Sequence, residues 1–245
     1  MLRCLLPSHQ QPIWLLAAVI TTMVMAISGC VPAVMPPPPP VQDESLVTGK
    51  PCLPPCWYGI VPSQTTVEEA IEIVTGLPFV APDSVTWRTY DLPKGFDEAV
   101  DWQYVGATHP THGGVLYVRL GLVARIRAFL PRALKLADVL ATQGEPDSVL
   151  VRVGMSPGEL PAYYFDFFYS ERGLWLTGSQ GHTGKEGEGS VLLSPDIAIS
   201  EAQYLGPMDL VSYLIEMQGH SEEAAREIAD FYQPWPGLGQ EIPVP

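Results

Sequence analysis

The chain predicts an α+β fold built from two tandem units, each a helix followed by an antiparallel β-meander, with further helices at the C-terminus. Three observations carry this expectation. An apolar run of helical period, stopped by Gly-x-Pro and followed by strand-like runs, occurs twice, with Gly76 and Gly144 separated by 68 residues. Apolar residues alternate with polar ones between Gly114 and Phe129, the period-2 pattern of a sheet with one face on the core. Two short amphipathic runs then follow the last strand-like segment. The boundaries read as a signal segment 1–29, a tether 30–50, a first unit 51–130, a second unit 131–206, and C-terminal helices with a tail at 207–245.

At the N-terminus, Arg3 leads into an uncharged apolar run from Ile13 to Ala26. A bilayer-spanning helix needs roughly 20 such residues, whereas the apolar core of a secretory signal needs about 7–15. The run ends in Ile27-Ser28-Gly29-Cys30, which resembles the lipobox of bacterial lipoprotein precursors. The resemblance implies that Cys30 becomes the mature N-terminus and carries acyl chains such as palmitate. It also implies that the protein sits on the extracytoplasmic face of a cell membrane. Pro32 and Pro36 to Pro40 then favour extended polyproline II, and Gln42-Asp43-Glu44-Ser45 is polar, so 31–50 reads as a tether. At about 3.1 Å per residue it reaches at most about 60 Å.

Without residues 1–29 the chain keeps all 27 acids against 12 Lys and Arg, a net charge near −15. That excludes nucleic acid, whose binding rests on Lys and Arg at phosphates. It also disfavours adsorption to an anionic lipid surface, leaving the lipid at Cys30 as the membrane contact. Cys4 falls in the signal, so Cys52 and Cys56 are the pair that remains. Outside the cytosol a disulfide closing a tight loop is their simplest use. A metal site would need more ligands, with no His nearby in sequence, and a redox pair is usually C-x-x-C; free thiols are the remaining alternative.

Folded structure is expected from Cys56-Trp57-Tyr58. Thr66-Val67-Glu68-Glu69 has the form of a capping box, and Val67, Ala70, Ile71 and Val74 share one helical face before Gly76-Leu77-Pro78 ends it. Strands are expected at Ser84–Tyr90 and Glu98–Tyr104, then a hairpin turning at Gly121. The second helix carries Leu136, Val139 and Leu140 and stops at Gly144-Glu145-Pro146. Strands follow at Ser148–Val153, Ala162–Tyr169 and Leu174–Gly178, with Ser170–Gly173 as a turn. A Gly-rich loop at Gly178–Ser190 precedes a last strand near Ile197–Tyr204. Leu210, Val211, Leu214 and Met217 face inward on one helix. Ser221 caps another, whose stripe is Ala225, Ile228, Ala229 and Tyr232.

Helix, Gly-x-Pro, then meander is similar to the small lipoprotein subunit of the outer-membrane β-barrel assembly machinery. The same unit used twice is similar to the secreted β-lactamase-inhibitor proteins. The similarity spans roughly 60–205 and implies helices on one face of an antiparallel sheet, a role in binding other proteins, and no catalysis. The Gly178–Ser190 loop, the C-terminal helices and the Cys52–Cys56 loop depart from those families.

No pattern for chemistry is complete. Gly181-His182-Thr183-Gly184-Lys185 lacks the leading Gly of a phosphate-binding loop, where Ser179 stands, and the Ser or Thr after Lys, where Glu186 stands. His109 and His112 flank Pro110 in a loop with no third ligand nearby, so neither a metal nor a cofactor is expected. Gly-x-Ser-x-Gly and Ser-x-x-Lys are absent, and paired acids such as Asp97 and Glu98 sit in turns. Tyr163, Phe165, Phe167 and Tyr169 alternate onto one face of a strand, which reads either as a central core strand or as an aromatic recognition surface.

Arg119, Arg125, Arg127, Arg132 and Lys135 fall in a window without acids between Asp101 and Asp138. With Val118 opposite Ile126, Arg119 faces Arg125 across the hairpin, a repulsive pair unless answered. Acids packed over this face would answer them, Glu222, Glu223 and Glu227 being one candidate set. The alternative is an anion- or partner-binding face. The sequence therefore points to a non-catalytic binding or adaptor module whose partner is an envelope protein or polymer. An exported hydrolase or cell-wall-modifying enzyme is the alternative.

Overall fold

Apolar residues at both parities of its strands give this chain a sheet with two apolar faces, and each face must be covered. The computed structural model describes residues 42–107, 112–154, 162–181 and 189–244. Cys30, the run before it, the prolines of the tether, His109 and the 182–188 part of the Gly-rich loop lie outside the described residues.

In chain order the elements are α1 (Ser45–Thr48), α2 (Val67–Gly76), a 3-10 turn (Pro82–Ser84), β1 (Thr86–Arg88), β2 (Glu98–Gln103), β3 (Gly113–Arg119) and β4 (Leu122–Lys135). Then come α3 (Leu136–Gln143), β5 (Ser148–Gly154), β6 (Ala162–Tyr169), β7 (Leu174–Gly181), β8 (Ser190–Leu192) and β9 (Ala198–Leu205). The chain closes with α4 (Leu210–Glu216), α5 (Glu222–Ala229), β10 (Gln233–Pro234) and β11 (Glu241–Pro243). The fold mixes α and β. Nine strands form one antiparallel sheet in the order β1-β2-β3-β4-β9-β7-β6-β5-β10, and β8 pairs with β11 in a small ribbon.

The first face of the sheet, with Val100, Leu116, Ile126, Phe165, Phe167 and Tyr204, packs under α1, α2 and α3 through Leu46, Val67, Ala70, Val74, Leu136 and Val139. The second face, with Ala99, Tyr117, Phe168, Trp175 and Leu205, packs under α4 and α5 through Tyr213, Leu214, Met217 and Ala225. Local signals read well: Thr66 and Glu69 form the capping box, and Ser221 caps α5. On α4 the most buried ring is Tyr213, which the apolar stripe missed, while Leu210 and Val211 are only half-buried.

Two expectations need correction. The tether does not run to residue 50, nor does folded structure wait for Cys56. Asp43 is buried and its carboxylate accepts from the Ser45 amide (3.0 Å) and hydroxyl (2.7 Å), Trp57 Nε1 (2.9 Å) and the Tyr58 hydroxyl (3.1 Å). Ser45 Oγ reaches the Tyr204 hydroxyl at 3.2 Å, and Gln143 Nε2 and Thr142 Oγ1 donate to the Leu46 and Val47 carbonyls. Four donors let a carboxylate stay inside without a cation.

The hairpin register is the second. Leu120 and Gly121, both at positive φ (53° and 77°), form a two-residue turn that fixes Arg119 opposite Leu122. A bulge then makes Leu116 face Ile126 and Tyr117 face Arg125, so Arg119 and Arg125 are not cross-strand partners. Ala124 is the extra residue and lies with Arg125 on the second face.

Both strained and buried groups give measurable consequences. Leu120 is 87% exposed at a φ that Asn tolerates and Leu does not, so Leu120→Asn should raise stability by about 0.5–1 kcal/mol in urea denaturation. Burial pushes the hydroxyls of Tyr58, Tyr104, Tyr169, Tyr204, Tyr213 and Tyr232 far above their ordinary range, with Asp43 adding to this at Tyr58, Tyr104 and Tyr204. A raised tyrosine holds its proton in the folded chain after the unfolded chain has lost it. The stability it contributes is therefore complete below pH about 10 and lost as pH rises further. Alkaline absorbance titration should show these six of the ten tyrosines ionising only together with unfolding.

Candidate functional site

The strand alternation that buries Phe165 and Phe167 on the first face places Asp166 on the second. Cross-strand register then sets Leu150, Asp166, Thr177, Glu201 and Phe129 side by side over β5, β6, β7, β9 and β4. A neighbouring row brings Gln203 opposite Arg127, Arg127 opposite Val115 and Val115 opposite Asp101.

Each acid in these rows is met by an arginine. Arg127 grips Glu201 with both arms, Nε to Oε1 at 2.7 Å and Nη2 to Oε2 at 2.8 Å. Arg152 Nη2 meets Asp166 Oδ2 at 2.6 Å, and the Thr177 hydroxyl donates to Asp166 Oδ1 at 3.1 Å. Arg88 pairs with Asp101 near the β1 edge. Gln203 Nε2 donates to Glu201 at 2.8 Å and Gln203 Oε1 accepts from the Tyr213 hydroxyl at 3.1 Å, which ties the row to α4. The acids lie deep and the arginines stand outward: the Asp166 and Glu201 side chains are 6% and 10% exposed, those of Arg152 and Arg127 56% and 36%.

Burial pushes the Asp166 carboxyl above its usual range, against the opposing pull of Arg152 and Thr177. Burial alone would lower Arg127, but its fork on Glu201 raises it. Two clefts open over these rows, the larger beside α4 and α5 and the smaller beside β1 and the 3-10 turn. One of about 340 Å³ is lined by Asp166, Thr177, Glu201, Gln218, His220 and Tyr232; one of about 270 Å³ is lined by Arg88, Asp101, Tyr117 and Phe129. Arg127 lines both, and the two clefts on either side of it make up the trough.

The basic residues expected to gather at a site are dispersed. Arg119 donates to the Gly95 carbonyl (2.8 Å) and the Glu216 carbonyl (3.0 Å). Arg125, 4% exposed, donates to the Met217 carbonyl (2.8 Å) and lies over the rings of Tyr117 and Phe96. Burial lowers its guanidinium below the ordinary value. Lys135 pairs with Asp196 in solvent. Arg132 makes no ion pair among the described residues and lines a separate cleft of about 540 Å³ with Glu44 and Asp138.

The answering groups are thus Glu201, Asp196, Glu216 and the carbonyls at the end of α4. The row on α5 is not among them, and Glu222 pairs instead with Arg226. Tyr163, Phe165, Phe167 and Tyr169 are at most 6% exposed and belong to the first core, so that face of β6 is core and not a recognition surface. Cys52 and Cys56 are joined in a disulfide.

Asp166, Thr177, Glu201 and Gln203 were not singled out from sequence. Their signal is a polar side chain inside a strand, at the parity opposite to the residues of the first core such as Phe165, Leu176 and Ala202. Among the described residues no group of three or more His, Cys, Asp or Glu is placed to hold a metal, and no helix is long and apolar enough to cross a membrane. No protein-family model, curated protein or solved structure matches the chain.

Arg125 links the sheet to α4 at the point where its partners are carbonyls. Arg125→Glu should cost more than about 3 kcal/mol in urea denaturation, because it sets a buried anion against those carbonyls; Arg125→Met should cost about 1–2 kcal/mol.

Proposed function

We propose that this chain is a non-catalytic binding module of the cell envelope, held on the extracytoplasmic face of the membrane by a lipid at Cys30, with the trough on the second face as its binding surface. The observation that carries this reading is the pairing of every acid in the trough's rows. Glu201, Asp166 and Asp101 each hold an arginine, an arrangement suited to presenting fixed donors and acceptors to a partner. The lipobox-like ending before Cys30 supports the anchor, and the Cys52–Cys56 disulfide fits an oxidising compartment.

The fold is read as two related units. Strands β1 to β4 run in order on one side of the sheet, and β9, β7, β6 and β5 mirror them on the other, each set preceded by its own helix, α2 or α3. The resemblance to families that bind other proteins through such units supports a binding role.

One observation favours a second reading, an exported hydrolase or wall-modifying enzyme: Asp166, with its raised carboxyl, lines the same cleft as His220. The full chain extracted from membranes separates the two. Its intact mass should be that of an acyl-bearing chain beginning at residue 30, and Cys30→Ser should release it from membranes or leave it uncleaved. An unmodified Cys30 or a retained Met1 would remove the anchored reading. Incubated with washed envelope fragments, the chain should sediment with them and leave them intact; release of soluble fragments would establish the hydrolase instead.

A further inference from the structure

We propose that the trough takes a neutral, hydroxyl-rich ligand, a stretch of uncharged glycan; this rests on the binding reading above and names its ligand class. The trough combines three arginines with three carboxylates, and all six are already paired with one another. An anionic ligand would meet Glu201, Asp166 and Asp101 as well as the arginines, on a chain whose net charge is strongly negative. A cationic one would have to draw a carboxylate away from a guanidinium that holds it at 2.6–2.8 Å. Neither sign of charge gains from entering.

A hydroxyl group does gain. Arg127 has five N–H donors and gives two to Glu201, and Arg152, half exposed, gives one to Asp166, so outward N–H groups remain. A hydroxyl donates and accepts at one atom, so neighbouring hydroxyls can bridge a guanidinium and its carboxylate without disturbing the pair. The pairs themselves hold the donors and acceptors in place before the ligand arrives, which reduces the ordering cost of binding.

The aromatic groups complete the fit. Phe129 stands on β4 opposite Glu201 of β9 and two residues from Arg127; it is half-buried and belongs to neither core cluster. Tyr232 lines the cleft on the other side of Arg127. The Arg127 guanidinium lies over the Phe129 ring, 4.6 Å from its centroid, and a half-buried ring stacked on a fixed polar fork suits the mixed C–H and O–H surface of a sugar. The two clefts, about 270 Å³ and 340 Å³, together offer a volume in the range of about 300–1,000 Å³ usual for small-ligand sites.

The test is calorimetric titration of the detergent-solubilised full chain with two linear sugars, a tetramer of β-1,4-linked N-acetylglucosamine and a tetramer of galacturonate. The neutral tetramer should bind, with affinity changed less than about twofold when salt rises from about 0.05 to 0.5 M. Phe129→Ala should weaken it about tenfold with little change in thermal unfolding. Glu201→Gln frees Arg127, so it should weaken the neutral sugar and strengthen the galacturonate. Binding of galacturonate alone to the unaltered chain would overturn the proposal. So would neutral binding that neither substitution alters. If neither sugar binds while the chain still sediments with envelope fragments, the glycan is wrong and the binding module stands, with a protein as its partner. If sedimentation is absent too, both fall.

Discussion

The pairing of β4 with β9 is the interaction on which the rest of this structure depends. Residues 125–129 of β4 lie against 201–205 of β9, and after a register shift Leu134 and Lys135 continue against Ile199 and Ala198. Without this seam the two runs of strands would be separate sheets, each with a free edge in its middle. With it they share one apolar cluster on each face. The outer edges left over are β1, three residues long, and β10, two residues ending in Pro234, both poor templates for further pairing. The same seam places Arg127 against Glu201 across 74 residues of chain, so the ion pair at the middle of the trough is a product of the topology.

How the second face is covered follows from what the seam puts there. Arg88, Arg119, Arg125, Arg127 and Arg152 lie over this face, and each is bonded to an acid or a carbonyl. Arg119 and Arg125 meet the carbonyls of Glu216 and Met217, the end of α4 where carbonyls lack helical partners and the helix dipole is negative. These bonds set where α4 can sit more than how tightly. Arg125 has a buried Nε without a hydrogen-bond partner, so part of its desolvation is not repaid by any bond. Two aromatic faces over its guanidinium recover some of that cost. A methionine in that place would pack α4 as well but would fix its end less sharply.

What was legible in the sequence was local. The capping box at Thr66 and Glu69, the cap at Ser221, and the strand Ala162–Tyr169 each depend on residues within one turn or one pleat of each other. What was illegible depended on partners far along the chain. Residues 42–45 look like the polar end of a proline tether, and only Trp57, Tyr58 and Tyr204 turn Asp43 and Ser45 into a buried hub. The hairpin register failed by a bulge, because alternation says which residues share a face but not where one extra residue is inserted. The aromatic run of β6 was ambiguous because both of its faces are partly apolar. Its assignment to the core is decided by α3 and by Trp235, whose ring lies 5.9 Å from Phe167. The trough was hidden for the same reason: Asp166 and Glu201 could be placed on the second face by parity, but their partners stand on other strands.

The hub at Asp43 also bears on how an anchored molecule could present its trough. Asp43 is held through Ser45 to Tyr204 and directly to Trp57, both in the core of the first face, so the chain enters the folded unit on that side of the sheet. The trough opens on the other side, beside α4 and α5. On the anchored reading, the free tether runs from Cys30 only to Asp43, and its reach falls from about 60 Å to about 40 Å. A shorter tether confines the folded unit to a thinner layer above the bilayer and raises the effective concentration of any ligand fixed within that layer. On that reading, weak individual contacts, such as the hydroxyls proposed to bridge pre-formed ion pairs, gain from that confinement. Asp43, where the described chain enters the fold, and the trough proposed to bind lie on opposite faces of the sheet, so a ligand in the trough does not contact the hub.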